Sequence, residues 1–207
     1  MILGFAHLTL GAAQVDKAVG RLLERGFSLK SSHRGIPSAA AKWPLMARRA
    51  KSHDLVLMSG GVAVEIVSHD TGSVTTGAVL DFSAESGQVI LRVEHVARER
   101  DFLLASLSCV ANEGIIEVRG AFPSWNVRLE LVADSAVPAL PPLDIEGFSC
   151  LAFYSNNIRE DIARLLALGA RDATDEFEIN LNGRALSIAM LRSPGGAILE
   201  LIKAKRQ

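Results

Sequence analysis

The sequence predicts an α+β protein built from tandem units, each a strand, a helix and further strands. Three observations predict it. First, the chain says nearly the same thing twice: GFAHLTL at residues 4–10, a helical stretch ending LLERGFSL and GGVAVEIV at 60–67 correspond to GFSCLAF at 147–153, a helical stretch ending LLALGARD and GGAILELI at 195–202. An internal repeat of this length means one supersecondary unit used more than once. Second, each copy switches from an apolar period of two to one of about 3.6 and back. Third, Asn182-Gly183 between two β-rich runs is the strongest short-range hairpin signal. Laid over one another, His7 falls on Cys150 and Glu65 on Glu200.

In the first copy, Leu3, Phe5, His7 and Thr9 alternate with Gly4, Ala6, Leu8 and Leu10, the period of a strand. From Asp16 to Arg25, Ala18, Val19, Leu22 and Leu23 recur at helical spacing, and Gly26 is the expected stop. A variable segment follows, and then strands over 53–58 and 61–67, joined by the Ser59-Gly60-Gly61 turn. In the last copy the expected order is a strand over 148–154, a helix capped by Asn156 or Asn157 with Ile158, Ile162, Leu165 and Leu166 on one stripe, strands over 177–181 and 185–192, and the Ser193-Pro194-Gly195-Gly196 turn into a final strand. Between them a less complete copy places strands at 88–95, 115–119 and 126–132 and a helix at 97–107. Glu130 in RLELV stands there where Glu65 and Glu200 stand in theirs. The expected organisation is residues 1–70, 74–134, a proline-rich linker at 135–145 (Pro138, Pro141, Pro142), and 146–204.

At 207 residues the chain has room for a real core, and 49% apolar with 22% charged residues is an ordinary globular balance. A net charge of −1 gives no field that favours nucleic acid or an anionic membrane. No basic leader with an apolar run and no 18-residue apolar stretch occurs, and Cys109 and Cys150 build no disulfide framework. The expected setting is cytoplasmic, with neither nucleic acid nor membrane as partner. Phosphate-binding glycine loops, a nucleophile elbow, CxxC and HExxH are all lacking.

Tandem units of this plan, opening on FAHLTL and closing on RSPGGAILELIK, resemble the vicinal oxygen chelate superfamily, which includes glyoxalases, extradiol dioxygenases and bleomycin-binding proteins. The resemblance implies βαβββ units whose mixed sheets curl around a cavity with helices packed outside, and a homodimer. It also implies a divalent metal held by the first and last strands of paired units. By position that gives His7, Glu65 and Glu200, with Cys150 as a further ligand or a small buried apolar residue. Thiolate suits zinc or iron, and the set as a whole suits zinc, iron or nickel better than magnesium. Physically, Glu65 between Val64 and Ile66, and Glu200 between Leu199 and Leu201, are costly unless compensated by a metal, an arginine, a hydrogen-bond network or a water-filled pocket. One histidine among the positions argues against dioxygen chemistry.

The implied function is a glyoxalase-like lyase or isomerase acting on a small oxygenated molecule, with Glu65 or Glu200 doubling as the base. The rival is a metal-free binding protein of the bleomycin-resistance kind. The first and last units are expected to share the cavity. His7 should share its face with Leu3, Phe5 and Thr9 while Gly4, Ala6, Leu8 and Leu10 face the helices, and metal affinity should fall as pH drops through roughly 6.5. Residues 30–52 carry Lys30, Arg34, Lys42, Arg48, Arg49 and Lys51 without an acidic residue, and read as a solvated loop or as a mobile lid with Arg48 and Arg49 facing an anionic substrate. His33 and His53 are candidate acid–base groups; His69 and His95 read as surface residues.

Overall fold

A computed structural model describes residues 1–74, 80–83, 88–107, 109–112, 115–121, 126–135, 141–181 and 183–204. Asn182 and residues 136–140 of the expected linker lie outside these, as does much of the stretch between the first two units.

The first unit runs β1 (Ile2–Gly11), α1 (Val15–Glu24), β2 (Ser28–Pro37), a 3₁₀ helix (Ala40–Leu45), β3 (Ser52–Ser59) and β4 (Ala63–His69). After a short β5 (Leu80–Ser83), the middle unit runs β6 (Gln88–Val93), α2 (Val96–Ser106), β7 (Cys109–Asn112), β8 (Ile115–Val118) and β9 (Val127–Ala133). The last runs β10 (Gly147–Ser155), α3 (Ile158–Ala167), β11 (Phe177–Leu181), β12 (Arg184–Arg192) and β13 (Ile198–Ala204). In each unit the first and last strands pair in parallel, β1 with β4, β6 with β9 and β10 with β13, and the others follow antiparallel. The middle unit, read from sequence as incomplete, therefore carries the same βαβββ order, completed by the four-residue β7. The variable segment of the first unit likewise begins as a strand, β2, paired to β3.

β1 and β10 run antiparallel side by side and weld the first and last units into one curved sheet. The middle sheet joins through β5, which pairs along β6 and meets β10 at Leu80–Phe148. It is also tied to β1, where Phe5 N–H donates to Arg119 O at 2.9 Å and Ala121 N–H to Phe5 O at 3.0 Å. Gly4 permits this approach: at φ +151° a Cβ there would stand 2.6 Å from Ala121 N.

The helices pack on the outer face. Val15 and Leu22 of α1, Phe102 and Leu103 of α2, and Ile158 and Leu165 of α3 meet Leu8, Val64, Ile66, Leu151, Leu199 and Leu201 in one buried cluster. Asn157 caps α3, its Oδ1 accepting from Glu160 N–H at 3.4 Å, and Gly26 ends the turn after α1 at φ +82°. The inner, concave face carries a second apolar cluster of Leu45, Leu143, Cys150, Ile188, Met190 and Ile198.

The register of β1 against β10 is irregular at three places, between Ile2 and Gly4, Phe5 and His7, and Thr9 and Leu10, and the middle one re-aims the site face. The register to β10 shifts between Phe5 and His7, so two residues of β1 occupy the place of one. Phe5 turns to the helix side, where it meets Phe153 edge to face with centroids 5.9 Å apart. Ala6 packs instead with Ala152 and Ile202 on the inner side. The expected shared face of Phe5 and His7 is thereby corrected, as is the placement of Ala6 with the helices; Leu3 is half exposed.

Candidate functional site

Strand register brings three polar side chains of the concave face together. Glu65 on β4 stands beside Thr9 on β1, His7 on β1 beside Ala152 on β10, and Ala152 beside Glu200 on β13. His7 Nε2 lies 3.5 Å from Glu65 Oε2 and 3.6 Å from Glu200 Oε2. Both separations are too long for a good N–H···O bond. His7 Nε2 and Glu200 Oε2 are buried with no hydrogen-bond partner. The three ligand atoms all lie within 4.8 Å of one another.

That arrangement fits a divalent cation. Bonds of about 2.1 Å at a tetrahedral angle separate ligand atoms by about 3.4 Å, close to the distances here, and an ion would satisfy the orphaned atoms. One imidazole and two carboxylates form a borderline-to-hard donor set.

Cys150 occupies the position related to His7 by the pseudo-twofold pairing, since it faces Thr9 as His7 faces Ala152. Its side chain is fully buried beside Leu45, Met190 and Ile198. Burial, with the charges of Glu200 and Glu65, pushes the thiol well above its ordinary pKa. It is not among the converging ligand atoms.

The electrostatics of the centre are set by burial and by mutual charge. Burial alone would lower the His7 pKa, but Glu65 and Glu200 outweigh it and raise it to about 10. Burial would raise Glu65, and His7 with Lys42 holds it below the usual carboxylate range. Glu65 and Glu200 line a cavity together with Thr9, Lys42, His53 and His69, walled on the far side by Phe177, Ile179, Ile188 and Met190 of the last unit. His53 and His69 face each other across β3 and β4 with ring centroids 5.8 Å apart. Burial and the nearby Lys42 charge lower them to about 3 and about 4. Lys42 is itself lowered by burial.

Two of these residues, His69 and Lys42, were misjudged or passed over in the sequence. His69 is 7% exposed and lines the cavity, not the surface. The period of two along β4 puts it on the face of Glu65 and Val67, a signal that was present. Lys42 stands alone in the run Ala39-Ala40-Ala41-Lys42-Trp43-Pro44-Leu45, and one cation in an apolar segment marks a buried one. His53, one of two candidate acid–base groups, lines the cavity, whereas Arg48 and Arg49 do not. Arg48 Nη1 donates to Thr71 O at 2.9 Å, and the Arg49 guanidinium lies 5.5 Å from the Trp43 ring centroid. The segment around them is well anchored: Asp144 accepts from Ala47 N–H at 2.7 Å and Arg48 N–H at 3.1 Å, Leu143 N–H donates to Leu45 O at 2.7 Å, and Trp43 Nε1–H to Ala50 O at 3.1 Å.

No family model matches the chain, and no curated protein matches it in sequence. Among solved structures it is similar to glyoxalase I from Zea mays, at 17% identity over 97% of this chain and 67% of that one, TM-score 0.39. It is similar to a glyoxalase/bleomycin resistance protein from Albidiferax ferrireducens T118, at 20% identity over 56% of this chain and 96% of that one, TM-score 0.42. It is also similar to a mutant 4-hydroxymandelate synthase from Streptomyces coelicolor, at 16% identity over 99% and 64%, TM-score 0.34. Among the described residues no helix is long and apolar enough to cross a membrane. The strand order of the chain itself is that of three tandem βαβββ units, the first and last closed around a His–Glu–Glu cluster.

Proposed function

We propose that the protein is a metal-dependent, glyoxalase-like isomerase or lyase acting on a small oxygenated molecule. The observation that carries this reading is the convergence of His7, Glu65 and Glu200, with two of the facing atoms buried and unpartnered, in a cavity built by two units. His7, Glu65 and Glu200 would hold a divalent cation, which would supply Lewis-acid polarisation of substrate oxygen. Zinc, iron or nickel suits the donor set better than magnesium. His7, fixed between two carboxylates, orients the centre. Glu65, held ionised by His7 and Lys42, or Glu200 on the opposite side of His7, would accept a proton from a substrate carbon. The apolar wall of Phe177, Ile179, Ile188 and Met190 limits water around the reacting carbon.

Mass-spectrometric metal analysis of the purified protein tests this. Stoichiometric metal that is lost in Glu200→Gln supports it. A second reading, a metal-free ligand-binding protein, is favoured by Cys150, which packs as an apolar residue and leaves a single histidine in the set. Absence of metal with stability unaltered by chelator would select that reading.

A further inference from the structure

We propose that Lys42, with His53 and His69 on the adjoining wall, forms an anion subsite beside the His7–Glu65–Glu200 centre, and that the ligand is a small carboxylate-bearing oxygenated molecule of the 2-hydroxy or 2-oxo acid class. This rests on the metal-centre reading above. Lys42 is only 6% exposed, carried on the 3₁₀ helix that covers the cavity. Among the described residues no carboxylate stands within ion-pair distance of its ammonium. The Phe177 ring centroid lies 6.0 Å from its Nζ, at the outer limit of a cation–π contact. An ammonium lining a largely apolar cavity with no carboxylate beside it is costly, so a counter-anion is favoured there.

The two carboxylates whose fields reach Lys42 are Glu65 and Glu200. A divalent ion bound by both would cancel the two charges that favour the Lys42 ammonium against its burial, so an anion brought by the ligand would take over that role. His53 and His69 each present a buried Nδ1 without a hydrogen-bond partner, and both rings line the same space. They are suited to bond the oxygens of a carboxylate or its neighbouring hydroxyl or carbonyl. Nothing in the far wall opposes a short hydrocarbon body, since Phe177, Ile179, Ile188 and Met190 are apolar.

The test uses the full chain loaded with Co²⁺, whose visible absorption reports on the ligands around it. Lactate is titrated against lactamide, its neutral isostere. Wild type should bind lactate at least about tenfold more tightly, the scale of 1.4 kcal/mol. Lys42→Met and Lys42→Gln should lose that preference while keeping cobalt stoichiometry, lactamide affinity and melting temperature; two variants guard against one failing to fold. Equal binding of lactate and lactamide by wild type, or a preference that survives both substitutions, overturns the subsite and leaves the metal reading standing. Failure of Co²⁺ to bind, or cobalt retained in Glu200→Gln, removes the metal reading, and the subsite falls with it.

Discussion

Metal affinity should climb with pH far beyond the ordinary histidine range. In the stripped protein His7 sits between two carboxylates that raise its pKa from 6.5 to about 10. The cation needs the unprotonated ring nitrogen. Every metal bound between those two pH values must therefore displace one proton, and the apparent affinity should rise about tenfold per pH unit. The onset near 6.5 expected for an unperturbed ring is replaced by a slope running through neutrality. The same shift governs the stability of the stripped protein. A folded pKa above the unfolded one means that the native state binds the extra proton, so this contribution is fully present below 6.5 and is lost as pH rises through about 10. The slope is about 1.4 kcal/mol per unit and the ceiling on the order of 5 kcal/mol, a large part of a typical domain's stability. Two measurements check it. Calorimetric titration of Zn²⁺ at pH 7.5 in buffers of different ionisation enthalpy should report release of about one proton per ion. Urea unfolding in chelator, from pH 6.5 to 9.5, should fall more steeply for wild type than for His7→Gln. Zero proton release together with parallel unfolding profiles would show that His7 is neutral in the stripped site and refute the reasoning.

Three further outcomes are expected. His53 and His69, lowered to about 3 and 4, take up protons when unfolded but not when folded, so the stability they contribute is present above 6.5 and lost progressively as pH falls toward those values; a His53→Leu/His69→Leu variant should show a flatter acid limb in urea midpoints between pH 4 and 7, and an unchanged limb would contradict this. Gly11→Ala should be destabilising by about 2 kcal/mol or more, because its Cβ would overlap Ile145 O, read as a drop in melting temperature. Ser155→Ala should cost about 1–3 kcal/mol, since it strips buried Asp161 of a 2.7 Å hydrogen bond and leaves the N-terminal amine, at 3.1 Å, and Arg164 to hold that carboxylate; a melt equal to wild type would show the bond to be dispensable.

What could be read in the sequence tracks burial. β1, β4, β10 and β13 carry apolar alternation because one face of each meets the helices, and Glu65 and Glu200 stood out against that pattern as charges in the middle of it. β2 was invisible for the converse reason. SLKSSHRGIP has no buried residue at any of its ten positions, so an edge strand held by backbone bonds to β3 leaves no periodic trace. β7 is four residues long on another edge. The bulge at Phe5 and His7 shifts side chains across the sheet; Gly4, an in-strand glycine of positive φ directly before it, was the one local sign of it. Lys42 was read as one cation among six although its apolar neighbours set it apart; where it is buried is decided by Asp144 and Leu143, about a hundred residues away, which pin the segment that carries it.

The third copy explains why the site lies where it does. The first and last units close around a cavity because the outer edges of β1 and β10 are free to pair with each other. In the middle unit the corresponding edge, that of β6, is already taken by β5, so this unit cannot close on a partner in the same way. Its inner face shows the consequence. Ile90 pairs with Glu130, and Gln88 Nε2 donates to Glu130 Oε2 at 2.5 Å. A carboxylate at the repeat position of Glu65 and Glu200 is thus satisfied by a neutral amide on the adjacent strand. His7 has no such neutral neighbour; it meets two carboxylates because two units bring one each. A metal-competent cluster needs that doubling, and a lone unit with a covered edge can keep the glutamate without the centre.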